Sequence, residues 1–336
     1  MLNLERSEER RRNNGGRDVA DSDNNLRAEP DDGEAETGRR ALLLVNRHAR
    51  SGTAALDDAL SVLRRGGIVV TEEECGSKRP IPDAIRELAK DYDCVIVGGG
   101  DGTLNAAAPA LIETGLPLGI LPLGTANDLA RTLGIDPNPV AAAGLIVAGN
   151  LRPIDLGEVN GHPFFNVASI GFSAELAQEL TAEAKRKWGV VGYAIAALRL
   201  LMRTTPFTAF IDHDGTTETI RTVQVSAGNG RHYGGGMTVE STAEPDDGQL
   251  DVYSLEVKHW WELLALFPAM RSGTHGAWKA VRTFRTTAFT VRTRRPRSIN
   301  TDGELTGETP ARFRVLRGAV RVYAPRGIVQ MQRRVA

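Results

Sequence analysis

From residue 41 onward, short runs that are apolar throughout alternate with longer stretches whose apolar residues recur every three or four positions. "ALLLVN", "IVVTEE", "DCVIVGGG" and "LPLGILPLG" are the short runs, and each reads as a strand buried on both faces. Between them, "TAALDDALSVLRRGG" predicts a helix stopped by Gly66 and Gly67. "PDAIRELAKDY" predicts another, with Pro82 near its start and Ala84, Ile85, Leu88 and Ala89 along one side. "GTLNAAAPALIETG" and "TANDLARTLG" complete the series. This alternation predicts a parallel sheet covered by helices, with ligands expected at the carboxyl ends of its strands.

After about residue 150 the period changes to two. "FTAFIDHDGTTETIRTVQVSAGNG" predicts two alternating strands around an Asp214-Gly215 hairpin. "GQLDVYSLEV", "AFTVRTRRPRSINTDGEL" and "RFRVLRGAVRVYAP" alternate in the same way. The fold class expected is therefore an α/β N-terminal domain over residues 39–150, then an antiparallel β-rich domain over 151–319, with a cleft between them. Residues 1–38 are dense in charge, Asn and Gly with almost no apolar run, a composition expected to stay disordered.

Composition narrows the classes. The chain has 336 residues, 41% of them apolar, enough for sizeable cores. A formal net charge of −1 gives no electrostatic reason to expect a nucleic-acid partner. The two cysteines, Cys75 and Cys94, make neither a disulfide framework nor a paired metal spacing. No run of eighteen apolar residues occurs and no targeting segment is visible, which points to the cytoplasm. The six histidines form no zinc-binding cluster, and "GFSAE" lacks the second glycine of a nucleophile elbow.

The candidate chemistry sits in the turns after the apolar strands. In "VIVGGGDGTLNAAAPAL", Gly98, Gly99 and Gly100 let the backbone approach a ligand. Thr103 stands at a helix start, where free N–H groups favour phosphate. This is not the dinucleotide fingerprint, which needs glycine at the position of Thr103, and no P-loop motif occurs anywhere. Taken alone, Asp101 is either a turn residue or a charge that needs a cation beside the phosphate. "PLGTANDLA" repeats the geometry with Gly124 and Thr125, and Asn127 and Asp128 suit either capping or nucleotide binding. Two such turns at consecutive strands favour a nucleotide-phosphate site. The loop "NRHARSG" lies at the same sheet edge and suits a further phosphate contact.

"GGGDGTLNAA", "PLGTANDLA", "NVASIGF", "GNGRHYGGGM", "DDGQLDV" and "NTDGE" occur in this order, and the set resembles the diacylglycerol kinase catalytic family, most closely its soluble bacterial YegS-like lipid kinases. The resemblance covers roughly residues 40–330. It implies a phosphofructokinase- or NAD-kinase-like nucleotide domain, a C-terminal β-sandwich, ATP and Mg2+ in the cleft, and phosphoryl transfer to a lipid hydroxyl. The last strand, within 320–333, is expected to complete the first domain. Gly99, Gly100, Asp101, Gly102, Thr103, Leu104, Asn105 and Thr125 match the family's ATP-binding segments. Asn46, Ser51 and Gly52 match its first phosphate loop, although Arg47 replaces the usual proline there. Asp247, with backbone oxygens at Glu244 and Gln249, matches a structural magnesium site. Glu304 matches the general base, and Asp155 an acidic residue near the catalytic magnesium. Asp302 reads as a turn residue, with a supporting catalytic role left open.

The partner expected is a lipid taken from the membrane surface, with a homodimer left open. In 185–203, Val190, Ala194, Ala197, Leu198 and Leu201 share one helical face, behind the basic-aromatic lead-in of Lys185, Arg186, Lys187 and Trp188. "HWWELL" has the same look of an interfacial anchor. Arg292, Arg294, Arg295 and Arg297 suit either a solvated strand or an anionic surface. The rival readings are an NAD kinase-like enzyme, which shares GGDGT, and a non-catalytic nucleotide or lipid sensor on the same fold. Which lipid is phosphorylated stays open.

Overall fold

The computed structural model describes residues 38–45, 53–74, 79–179, 200, 202–230, 232–233, 237–238, 244–272 and 278–326. The expected alternation opens the fold, in the order β1 (Arg39–Val45), α1 (Thr53–Arg65), β2 (Ile68–Glu74), α2 (Ile81–Leu88), β3 (Cys94–Gly99), α3 (Asp101–Thr114), β4 (Leu118–Pro122), α4 (Asp128–Thr132) and α5 (Pro139–Ala148). Strands β1 to β4 run parallel in the order β2-β1-β3-β4. Burial explains their composition: β3 and β4 are enclosed along their whole length. Local chemistry ends the helices. Gly115 and Gly149 take left-handed conformations after α3 and α5, and the Asn138 side chain accepts the Val140 N–H at the start of α5. The helix expected from "TANDLARTLG" shrinks to the five residues of α4, because Asn127 is itself left-handed, with φ 50°.

The second half comprises β5 (Leu151–Val159), β6 (His162–Phe164), β7 (Val167–Gly171), α6 (Phe172–Glu179), β8 (Phe207–His213), β9 (Thr216–Thr222) and β10 (Gln224–Gly228). A short hairpin follows, β11 (His232–Tyr233) and β12 (Met237–Thr238), then β13 (Leu250–Leu255) and α7 (Trp260–Ser272). The chain closes with β14 (Val281–Thr286), β15 (Ala288–Thr293), β16 (Ser298–Thr301), β17 (Glu304–Glu308) and β18 (Ala311–Tyr323).

Two sheets organise these strands. The parallel strands continue through β18 into β15, β8 and β9, with β5 and β6 on the other side of β18, so one sheet runs through both halves. The second sheet is antiparallel, in the order β14-β13-β10-β7-β16-β17. Ile170, Val225 and Val252 from it pack against Ala209, Val291 and Phe313 from the first, forming the sandwich core. Leu263 and Leu266 of α7 cover Tyr253, Leu255 and Val281. The last strand returns to the first half: Val322 pairs in parallel with Leu118, and Val322 and Tyr323 lie in the core of the parallel sheet.

Two single-strand expectations need correction. "TTETIRTVQVSAGNG" is not one strand but β9 and β10, one in each sheet. At the break, the Thr222 hydroxyl donates to the Gln224 and Leu255 carbonyls. "AFTVRTRRPRSINTDGEL" likewise divides into β15 in the first sheet and β16 in the second. Alternation with period two marks which side chains point inward, and it is blind to a strand that crosses from one sheet to the other.

Candidate active site

The loop between β3 and α3 is held tightly at glycine. Thr103 folds back so that a Cβ on Gly99 would lie 2.6 Å from its hydroxyl oxygen. The Thr103 and Leu104 N–H groups both donate to Gly100 O, and no side chain caps this fourteen-residue helix. Its first N–H groups therefore face the loop with their positive dipole end. Asp101 occupies the first turn, and one of its carboxylate oxygens accepts the Leu129 N–H of α4 at 3.1 Å. This contact joins the two turns.

The "PLGT" turn is packed against the first one. A Cβ on Gly124 would lie 2.5 Å from the Gly100 Cα and 2.7 Å from the Asn127 Oδ1. Asn127 is not a cap for its helix. It closes the turn on itself, accepting the Gly124 N–H and donating to the Gly124 carbonyl, both at 3.0 Å. Thr125 is exposed at the tip. Gly124→Ala must push backbone against backbone, at a cost of about 1–3 kcal/mol. It is expected to lower the thermal midpoint in calorimetry, because the two turns can no longer pack.

The distant "NTDGE" turn reaches the same place. A Cβ on Gly102 would lie 3.8 Å from the Glu304 Oε1. Two residues earlier, Asp302 (φ 49°) turns the other way. Its carboxylate accepts the N–H groups of Phe165 at 2.7 Å, Asn166 at 3.0 Å and Val167 at 2.9 Å. Asn105 donates to it at 3.3 Å and to the Pro163 carbonyl at 3.2 Å, with the amide orientation assigned from this network. The Gly303 N–H donates to Asn300 Oδ1 at 2.8 Å and completes the turn. Enclosure pushes the Asp302 carboxyl up to about 6, against the pull of the three N–H donors, and the nearby Asp101 charge adds to the rise. Asp302 is thus a socketed anchor that aims Glu304. Its turn chemistry was legible in the sequence; the socket was not, because its donors come from backbone that is 135 residues or more away.

Asp155 and Asp247 meet each other in a separate cluster. The Asp155 carboxylate accepts the N–H groups of Gly248 and Gly318, both at 2.7 Å, clamping the "EPDDGQ" loop to an irregularity in β18. Asn229 ties the cluster to the Asp302 socket, donating to the carbonyls of Asp155 at 2.7 Å and Phe165 at 3.1 Å. Asp247 accepts the Gln249 N–H at 3.0 Å and pairs with Arg285 at 2.7 Å. Burial pushes its carboxyl up, against the pull of Gln249 and Arg285. Arg317 crowds Gly248, lying 2.7 Å from where a Cβ would stand. In the place expected for a structural magnesium with Glu244, Asp247 and Gln249, the Asp247 carboxylate is thus engaged by arginine and a backbone N–H. Among the described residues no three His, Cys, Asp or Glu side chains gather around a metal position.

Asp101 is a different case. Magnesium is commonly held by one or two carboxylates with nucleotide phosphates supplying further oxygens, and Asp101 beside the glycine cradle offers that donor set. Asn46, Ser51 and Gly52 lie outside the described residues, as does most of 185–203. Of the arginines before Glu304, Arg292 is paired with Asp212 at 2.9 Å and Arg297 with Glu175 at 2.6 Å. These two are neutralised within the chain.

Residues 40–159 match the diacylglycerol kinase catalytic domain model, and residues 166–324 match the YegS C-terminal NAD kinase beta sandwich-like domain model. A diacylglycerol kinase of Mycobacterium tuberculosis is 34% identical over 298 residues, covering 85% of this chain and 96% of that protein. The chain belongs to the diacylglycerol kinase family. A YegS-like lipid kinase relative in Pseudomonas aeruginosa is 32% identical over 292 residues, covering 85% of this chain and 95% of its own length. Among solved structures, one from Bacillus anthracis str. Sterne that carries the diacylglycerol kinase name superimposes with a TM-score of 0.73 at 26% identity. It covers 88% of this chain and 98% of that one. Membership makes this chain a kinase. No described helix is long and apolar enough to cross a membrane.

Proposed function

We propose that this kinase transfers the γ-phosphoryl group of ATP to a lipid hydroxyl, diacylglycerol or a related glycerolipid or sphingoid lipid, with Mg2+ as cofactor. The observation that carries this reading is the convergence of three distant turns: Gly100 against Gly124, and Glu304 beside Gly102. The glycine cradle and the uncapped start of α3 hold the nucleotide phosphates through backbone N–H groups. Asp101 holds the magnesium, which neutralises charge on the phosphate oxygens when bound. Glu304 takes the proton from the lipid hydroxyl, whose own acidity is far too weak to ionise near neutrality. Phosphoryl transfer needs alignment and charge stabilisation more than covalent help, which suits a site made of turns and carboxylates. Asp155 and Asp247 hold the neighbouring loop in place.

Purified protein given labelled ATP, Mg2+ and a panel of diacylglycerol, monoacylglycerol, sphingoid base and NAD is expected to label a lipid. Label in NAD with none in any lipid would overturn the reading, as would lipid labelling undiminished by Asp101→Asn.

A further inference from the structure

We propose that Asn229 is a positioning residue for the reaction: it fixes the backbone that holds Asp302, and through Asp302 it aims Glu304. The inference rests on the lipid-kinase reading and deepens it by naming a residue that acts on the base from outside the three converging turns. Asn229 directly follows β10 and is buried, 2% exposed. It extends the ladder between β10 and β7 one pair beyond Gly228 and Val167, its N–H donating to the Asn166 carbonyl at 2.9 Å. On the other side of β7, Ala168 pairs with Thr301 at the end of β16, and the Asp302 N–H donates to the Val167 carbonyl at 2.9 Å. Segment 165–167 therefore runs between Asn229 on one edge and Asp302 on the other.

The two residues grip the same peptide groups from opposite ends. The amide joining Phe165 to Asn166 donates its N–H to Asp302 Oδ1 at 3.0 Å, and its carbonyl accepts the Asn229 side-chain amide at 3.1 Å. The next amide, joining Asn166 to Val167, donates to the same oxygen at 2.9 Å, and its carbonyl accepts the Asn229 backbone N–H at 2.9 Å. One residue thus fixes two of the three backbone donors in the Asp302 socket. A peptide group is planar and stiff, so holding its carbonyl sets the direction of its N–H. A donor at the carbonyl end also polarises the group and strengthens the hydrogen bond at the other end.

The side-chain chemistry at position 229 is specific. The amide also donates to the Asp155 carbonyl at 2.7 Å, so its two hydrogens serve two carbonyls, from β5 and from the socket. Two acceptors on one side leave a single orientation for the amide. Its Oδ1 meets no donor among the described residues, so the side chain is held through its hydrogens. A side chain without two N–H donors in this place leaves a buried carbonyl unpaired, which is costly.

The consequence for the reaction is geometric. Glu304 lies two residues beyond Asp302, with Oε1 3.8 Å from where a Cβ on Gly102 would stand. When the donors at 229 are lost, the peptide planes behind Asp302 turn more freely and the Glu304 turn loses its fixed direction. A misplacement of about 1 Å in a reacting group costs on the order of 10²-fold in rate. The glycine turns at Gly100 and Gly124 pack on each other without help from Asn229, so nucleotide binding is spared.

The test measures amide hydrogen exchange and turnover in the full chain carrying Asn229→Ala. Because that variant risks misfolding, Asn229→Ser is made beside it, its hydroxyl still able to serve one carbonyl. The Asn166 and Val167 amides are expected to exchange ~10-fold faster in the alanine variant, while Ile170 within β7 keeps its protection. On labelled ATP and diacylglycerol, kcat should fall by ~10- to 10²-fold with calorimetric ATP affinity retained, and Asn229→Ser should lie between. In a Glu304→Gln background, Asn229→Ala should lower kcat no further, because an absent base cannot be misplaced. Unchanged exchange at Asn166 and Val167 would overturn the proposal, as would unchanged kcat. So would a full further loss in the double variant, which would make Asn229 a packing residue whose effect bypasses Glu304. Absence of lipid phosphorylation by the unaltered chain is a separate result: it would remove the kinase reading, and the exchange measurement alone would then decide whether Asn229 holds the socket.

Discussion

Glu304→Gln is expected to lower kcat by ~10²–10⁴-fold while leaving ATP affinity and the thermal midpoint unchanged. The glutamine keeps the size of the side chain and loses only the capacity to take a proton. The Glu304 side chain is exposed and makes no hydrogen bond among the described residues, so the fold does not depend on its charge. Exposed substitutions of this kind typically change stability by about 0.5 kcal/mol or less. Steady-state kinetics with ATP and the labelled lipid, beside calorimetric ATP binding, separate the two effects. A variant with full kcat would show that the acid is an ordinary turn residue, and the approach of Glu304 to Gly102 would then have no chemical role.

The second large effect concerns Asp302 and is read as stability against pH. Its carboxyl stands at about 6, against an ordinary 3.8 in the unfolded chain. A raised carboxyl favours the protonated native form, so this contribution is fully present below about pH 4 and is lost as the pH rises through about 6. At 1.36 kcal/mol per pH unit, the roughly two-unit gap amounts to about 3 kcal/mol. Denaturant unfolding across this window should show the loss in the unaltered chain and its absence in Asp302→Asn. Asp101→Asn should reduce it, since the Asp101 charge helps raise Asp302. Equal pH slopes in the unaltered chain and Asp302→Asn would refute the socket. Asp302→Ala removes the acceptor of three backbone N–H groups, each costing about 1–3 kcal/mol when left buried and unmatched. Even one or two such losses are large beside the 5–15 kcal/mol total of an ordinary domain.

Much of the N-terminal half was legible because its signals are local. An apolar run such as "CVIV" ending in glycines can hardly be anything but a buried strand and a tight turn. The period of the following segment already gives helix α3. The turns at Gly100 and Gly124 were likewise readable as strand-to-helix turns, and the structure packs one against the other. Reading along the chain missed what depends on distant partners. The apolar positions change parity between Ile220 and Val223, where β9 gives way to β10 and the chain changes sheet. Nor does the local pattern show the partner of Asp247, Arg285, which reaches it from a strand 38 residues further on.

By itself, then, the amino-acid order determined the strand–helix rhythm, the glycine turns and the presence of a carboxylate at each expected position. These depend on burial, backbone freedom and residue chemistry within a few neighbours. Tertiary structure alone decided what surrounds each carboxylate. It gave Asp302 three N–H donors and a raised proton affinity, gave both oxygens of Asp155 to Gly248 and Gly318, and left Glu304 open beside Gly102. The physical reason is that the protonation and reach of an acid are set by what surrounds it in space, and here those surroundings arrive from strands far apart in the chain.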